Sequence, residues 1–364
     1  MKAAVLYEVN QPLQVVEVNL DAPKTGEVLV KMGAAGICAS DHHIMHGSGS
    51  LPLPCALGHE GAGTVESVGD GVNGLQPGDR CILSFVSNCG HCRSCREGFP
   101  QLCDTNRLTG SRQQDGTFRM RDGEGNDVYQ MSKISVFSEQ SVVPAQACFP
   151  IPNDVPMEVA ALIGCCVSTG VGAVINAPGI RAGATVAVFG VGGVGLNVVQ
   201  GARLMNAARV IAVDLFDEKL EFARHFGATD LVNASKCDPV EAIREITGGG
   251  VDYAFDAFGG AATISQAVDS LRKTGTAVMV GLAPVGERAP IDMVDLVRNQ
   301  KTLVGSYYGS GSPHETFARM IDFYQRGLLD ISGLIQRRYP LSEINTGFKA
   351  LENHENGRGV ITFA

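Results

Sequence analysis

Four cysteines within 15 residues, Cys89, Cys92, Cys95 and Cys103, place the strongest constraint on how this chain folds. The pattern C-x2-C-x2-C-x7-C leaves spacers short enough for one loop to wrap one ion. Four thiolates at that spacing match a closed tetrahedral zinc site. A disulfide knot and an iron–sulfur cluster are the competing uses of clustered cysteines. The knot fits poorly, because the eleven cysteines are odd in number and the opening MKAAVLYEVN lacks a signal-peptide layout. A closed four-cysteine site has no open coordination position, so it accounts for a stable loop and not for an activity.

The length of 364 residues exceeds one ordinary core and implies two domains. A hydrophobic content of 45 % with 18 % charged residues describes a packed globular protein and excludes disorder. No apolar run is read as reaching the roughly 18 residues needed to cross a bilayer. A formal charge of −9 disfavours nucleic acid and anionic membrane as partners. Eleven cysteines without an export signal imply a reducing, cytoplasmic location.

The first third reads as short strands, with Leu13 to Val18 and Glu27 to Met32 bounded by Pro or Gly. From about Pro156 the texture changes. A strand at Ala184 to Phe189 precedes a helix from Val194 to about Met205. A strand at Val210 to Val213, a helix from Asp217 to Phe226 and a strand at Leu231 to Val232 follow. A helix around Pro239 to Ile246 and strands at Val251 to Phe255 and Thr276 to Val280 complete the series. This alternation indicates a doubly wound parallel sheet of the Rossmann type. After about Tyr308 the rhythm is lost, so the tail is expected to return to the first domain.

Gly190, Gly192 and Gly195 form G-x-G-x-x-G directly after a strand and at the opening of a helix. Together with Gly193 and Val194, this turn lets backbone N–H groups approach a pyrophosphate. Asp214 ends the next strand, where a carboxylate accepts both ribose hydroxyls and repels a 2′-phosphate, favouring NAD over NADP. The plainer alternative is a glycine turn that packs a helix on a sheet, with Asp214 a solvated strand end.

Cys38 lies in GICASDHH, His59 in GHEGAG and Cys165 in GCCVSTG. Two thiols and an imidazole with one position open make a catalytic zinc arrangement. Taken singly, each is as readily a buried thiol or a core histidine. With the cysteine loop and the glycine turn, these segments make five separated motifs in one order. The chain resembles the zinc-dependent medium-chain alcohol dehydrogenases over nearly its whole length. The long segment from Asp104 to Phe137 makes it similar to the animal and glutathione-linked branch.

That resemblance implies a mainly-β, GroES-like catalytic domain over 1–166 and 309–364, with a NAD-binding domain over 167–308. It implies Cys38, His59 and Cys165 on a catalytic zinc, Glu60 close by, and Cys166 as a competing ligand. Ser40 matches the hydroxyl that hydrogen-bonds the substrate oxygen, and His43 the outer histidine of a proton relay. Asp41 falls near the zinc shell, Thr169 near the nicotinamide, and Lys219 beside the adenosine ribose. In GRGVITF, Ile361 falls where the family has a pyrophosphate-binding arginine, and Arg358 is a nearby substitute. Ala39 stands where many relatives carry Arg or His, a loss of about 1.5–3 kcal/mol of cofactor contact if nothing replaces it. Phe85, Met131, Leu282 and Tyr307 are the implied substrate-pocket walls.

The implied reaction is reversible NAD-linked oxidation of a primary or secondary alcohol to an aldehyde or ketone. The cofactors are NAD and two zinc ions per chain, one catalytic and one structural, and the partners are small alcohols or aldehydes. A homodimer is expected, with a homotetramer as the other possibility. Glutathione-dependent formaldehyde oxidation is the rival within enzymes. Gly49, where that branch has an acidic residue, weakens it, although Arg107 falls near one of its basic positions. A silent nucleotide-binding relative is the rival from another class, and all three zinc ligands count against it.

Overall fold

The computed structural model describes residues 1–49 and 51–363. Two compact units emerge, one of Met1–Cys165, Ser312–Gly327 and Ile331–Ala364, the other of Cys166–Gly311 and Leu328–Asp330.

The first unit is mainly β. Strands Lys2–Leu6, Gln14–Leu20, Met120–Asp122, Asp127–Gln130 and Cys55–Ala56 close a barrel, which leaves no free edges for stray pairing. Beside it lies a sheet built around the ten-residue strand Glu27–Gly36. Val28, Val30 and Met32 of that strand are buried while Lys31 is exposed, the period of two that a pleated strand imposes. Its inward residues join Leu6, Leu57, Phe137, Phe348 and Ile361 in one core. The long 104–137 segment supplies the hairpin Met120–Asp122/Asp127–Gln130 that completes the barrel. Just before it, buried Arg119 bonds Glu27 at 2.7 Å and Asp115 at 2.9 Å, tying the segment to the central strand.

The tail adds helices Pro313–Gln325 and Ile344–Glu352, neither of which was read from sequence, and a parallel strand pair, Ile335–Pro340 and Arg358–Thr362. Its last strand registers Val360 opposite Gly36 and Ile361 opposite Ala35. This register brings Arg358 to the start of the GICASDHH segment.

The second unit is a six-stranded parallel sheet. Its order is Asp230–Asn233, Arg209–Asp214, Thr185–Phe189, Val251–Asp256, Leu271–Met279, Thr302–Gly305. Val186, Ala187 and Val188 are all fully buried, as continuous apolar strands in a covered parallel sheet must be. From Thr185–Phe189 the chain goes first to one neighbour and later to the other. That makes its carboxyl end the switch point where α/β sheets bind ligands. The helix after it runs Gly193–Leu204, and the next spans Asp217–Phe226. Helices Ala261–Asp269 and Met293–Arg298 and the edge strand Thr302–Gly305 were not read from sequence.

One expectation fails. The helical run Met157–Asn176 is 20 residues long and apolar enough to cross a membrane. Most of it, 83 % of the most apolar stretch, is buried inside the protein, so its apolarity serves packing. It is interrupted by a wide π turn at Ile163–Val167, a feature frequent at functional sites, and Cys165 sits on that turn.

Candidate active site

Cys38, His59 and Cys165 come together in the first unit, with ligand atoms within 4.8 Å of one another. Cys38 is the N-cap of the short helix Ala39–Met45, His59 precedes strand Gly61–Val68, and Cys165 rides the π turn. All three are at most 8 % exposed. His59 Nδ1 donates to Asp41 Oδ1 at 3.1 Å, which fixes the ring tautomer and leaves Nε2 for the thiol side. The same Asp41 oxygen accepts the Gly58 N–H at 3.1 Å. Asp41 Oδ2 is buried without a hydrogen-bond partner among the described residues.

The electrostatics match a cation site. A hydrogen bond from Cys165 holds the Cys38 thiol well below its ordinary range; burial opposes this and the His59 charge reinforces it. Burial works against protonated His59, yet the Asp41 and Cys38 charges raise its pKa well above the usual value. Burial raises the Asp41 carboxyl, against the pull of His59. Two sulfurs and one imidazole nitrogen, convergent and buried, suit a zinc ion with one coordination position left over.

Glu60 is fully buried and pairs with Arg358, which is 5 % exposed and also donates to the Ile37 carbonyl at 2.7 Å. Gly36 makes room for this carboxylate, since a Cβ there would lie 2.1 Å from Glu60 Oε2. Arg358 was expected as a substitute cation for a pyrophosphate. In the structure its guanidinium pairs with Glu60, a buried carboxylate that needs an opposite charge in hydrogen-bond contact. Ile361 is wholly buried in the β core. Ser40 and His43 are half-buried on helix Ala39–Met45, one turn apart, and Ala39 is exposed at its first position.

Cys89, Cys92, Cys95 and Cys103 also converge within 4.8 Å. The sulfurs of Cys103, Cys89 and Cys92 accept backbone N–H groups from Cys89, Cys92 and Cys95 at 3.3, 3.3 and 3.5 Å. Such bonds favour thiolates. The Thr105 hydroxyl leads in pulling Cys89 down to about 5, while burial and donation to Cys92 push Cys95 up to about 12. Four thiols gathered this closely suit a cation, which would let all four ionise together. All eleven cysteines are unbridged, which removes the disulfide knot.

In the second unit, Gly190 has φ +82°, a conformation that favours glycine, and a Cβ at Gly195 would lie 1.9 Å from the Gly190 carbonyl. A Cβ at Gly192 would meet nothing within 4 Å, so the backbone there is open to a ligand at the N-terminus of helix Gly193–Leu204. Asp214 Oδ2 accepts the Val191 N–H at 3.0 Å, tying the turn to the neighbouring strand. These features fit a dinucleotide. The Lys219 ammonium lies 5.6 Å from the Phe216 ring centroid. Thr169 is half-buried on helix Ser168–Asn176.

The expected pocket walls divide. Phe85 packs edge-on against His59 with ring centroids 5.5 Å apart. Met131 is 6 % exposed and belongs to the β core. Leu282, 58 % exposed, and half-buried Tyr307 lie in the second unit. Sequence reasoning missed the Arg358–Glu60 pair and a third group, His42, His46 and Glu352, whose only signal was the His-x3-His spacing in DHHIMH.

Residues 24–153 match the model of the alcohol dehydrogenase GroES-like domain, and residues 193–326 that of the zinc-binding dehydrogenases. The S-(hydroxymethyl)glutathione dehydrogenase of Saccharomyces cerevisiae is 38 % identical across 99 % of this chain and 95 % of its own length. The NDMA-dependent alcohol dehydrogenase of Amycolatopsis methanolica is 38 % identical across 99 % and 98 %. The crystal structure of benzyl alcohol dehydrogenase from Acinetobacter calcoaceticus superposes with a TM-score of 0.92 at 33 % identity, covering 100 % of this chain and 99 % of that one. With the GroES-like and nucleotide-binding folds in place and full-length relatives at this identity, the chain belongs to the zinc-binding medium-chain alcohol dehydrogenases.

Proposed function

We propose that this protein catalyses reversible, NAD-dependent oxidation of a primary or secondary alcohol to an aldehyde or ketone. Cys38, His59 and Cys165 would hold a catalytic zinc, and Cys89, Cys92, Cys95 and Cys103 a structural one. The observation that carries this reading is the buried thiol–imidazole–thiol cluster with its imidazole locked by Asp41. When bound, zinc supplies Lewis acidity that makes an alcohol hydroxyl easier to deprotonate, and nicotinamide supplies the hydride acceptor.

The residues do the rest. Asp41 holds the His59 ring in one tautomer, and the Glu60–Arg358 pair sets a fixed charge balance close to Cys38. Ser40 takes the substrate hydroxyl proton, and His43, one helical turn on, delivers it towards solvent. Gly190, Gly192, Gly193, Val194 and Gly195 present backbone N–H groups to the pyrophosphate. Asp214 receives the adenosine ribose and excludes a 2′-phosphate, with Lys219 beside it and Thr169 near the nicotinamide. Phe85 would meet the substrate beside His59, and Met131, Leu282 and Tyr307 are the other residues assigned to substrate contact.

A homodimer fits the second unit's surface. Edge strand Thr302–Gly305 ends its sheet, and helix Met293–Arg298 exposes Met293, Val294 and Val297 at 77, 58 and 73 %. Val297→Lys should shift light-scattering mass to the monomer, and an unchanged mass would rule that face out. Eleven unbridged cysteines suit the reducing cytoplasm.

Glutathione-dependent formaldehyde oxidation stays as a second reading, because relatives carrying that name are 38 % and 36 % identical over nearly the full chain. A panel of alcohols followed by NADH absorbance, with and without glutathione, separates the two. Turnover without glutathione supports the general reading, and turnover of formaldehyde only with it supports the second.

A further inference from the structure

We propose that His42, His46 and Glu352 form a third metal site, an exchangeable one for a divalent transition ion such as zinc. The three ligand atoms lie within 4.8 Å of one another in the first unit, and nothing in alcohol oxidation uses them. His42 and His46 sit four residues apart at the end of helix Ala39–Met45, the spacing that puts two imidazoles on one helical face. Glu352 is the last residue of helix Ile344–Glu352. Its Oε1 lies 3.0 Å from His42 Nε2 and 3.9 Å from His46 Nε2. Ligands around one zinc at about 2.0–2.2 Å stand about 3.3 Å apart, so these separations bracket what an ion requires.

His46 is already oriented for the task. Its Nδ1 donates to the His42 carbonyl at 3.0 Å, which turns Nε2 to the side of Glu352. The two ring centroids lie 4.1 Å apart, so the imidazoles are already neighbours. Two imidazoles select zinc, copper or nickel over magnesium or calcium, and the single carboxylate offsets part of the ion's charge. The side chains are 26 to 42 % exposed, so the ion enters from solvent and keeps water in its remaining positions. An ion held there ties the helix carrying Ser40 and His43 to the C-terminal helix.

The site does not depend on the proposed activity, and its test does not read turnover. The full chain, with its two cysteine-containing clusters filled, is dialysed against graded zinc and analysed for metal and melting temperature. The expected result is one further zinc per chain and a higher melting temperature in its presence. His46→Gln and Glu352→Gln should each weaken that uptake at least about tenfold, the scale on which ligand-supporting groups act. Both positions are on the surface, and far-ultraviolet circular dichroism without added zinc checks the fold. If one variant unfolds, the other carries the comparison. No further zinc in the parent, or equal uptake by parent and a folded variant, overturns the site.

Discussion

His59 and Asp41 share a hydrogen bond of 3.1 Å from Nδ1 to Oδ1 at a point where His59 is 4 % exposed and Asp41 fully buried. This bond decides which ring nitrogen faces Cys38, so the geometry of the proposed ligand set depends on a residue outside it. Asp41→Asn keeps the size and can keep the Gly58 N–H contact but removes the charge that favours the oriented ring. We expect metal affinity at this cluster to fall about 10–100-fold, measured by chelator competition, with the four-cysteine loop unaffected. Equal affinity in parent and variant would mean that Asp41 serves only the fold.

Asp214 carries a second dependence. Its carboxylate accepts N–H groups from Val191, Leu215 and Phe216 at 3.0, 2.8 and 3.3 Å, so it shapes the turn in addition to its proposed contact with the ribose. Asp214→Gly should raise the ratio of kcat/KM for NADP over NAD at least about tenfold, because the repelling charge is gone. It should also cost about 1–3 kcal/mol of stability in a denaturant titration, from backbone donors left without their acceptor. A parent that already prefers NADP would refute this reading of the strand end.

The parts legible in sequence were those encoded locally. The cysteine loop is written in 15 residues, and the glycine turn follows directly on the apolar run Val186–Phe189. Helix Asp217–Phe226 was placed to the residue because Gly227, at φ +115°, stops it in the left-handed conformation. Cys38, His59 and Cys165 are scattered over more than a hundred positions, and only the family resemblance grouped them. The Arg358–Glu60 pair spans 298 positions and the His42–Glu352 contact 310, which no local pattern reports. The run Met157–Asn176 escaped notice because a buried core helix lacks the polar face that marks amphipathic ones.

His43 offers a pH test. As pH falls, hydroxide becomes too scarce to take the substrate proton, so a positioned imidazole matters most at the acid end. His43→Gln should therefore slow turnover chiefly below neutrality and leave metal content unchanged. A loss that is uniform from pH 6 to 9 would leave His43 outside the proton path.

Zinc-dependent alcohol oxidation at Cys38, His59 and Cys165 stands or falls on elemental analysis during graded chelation, with NADH formation followed in the same samples. Zinc is expected in both cysteine-containing clusters. The three-ligand ion should leave first and take turnover with it, because the four-cysteine ion is closed on all sides. Iron in the loop, or full turnover after the more labile zinc is gone, would contradict it.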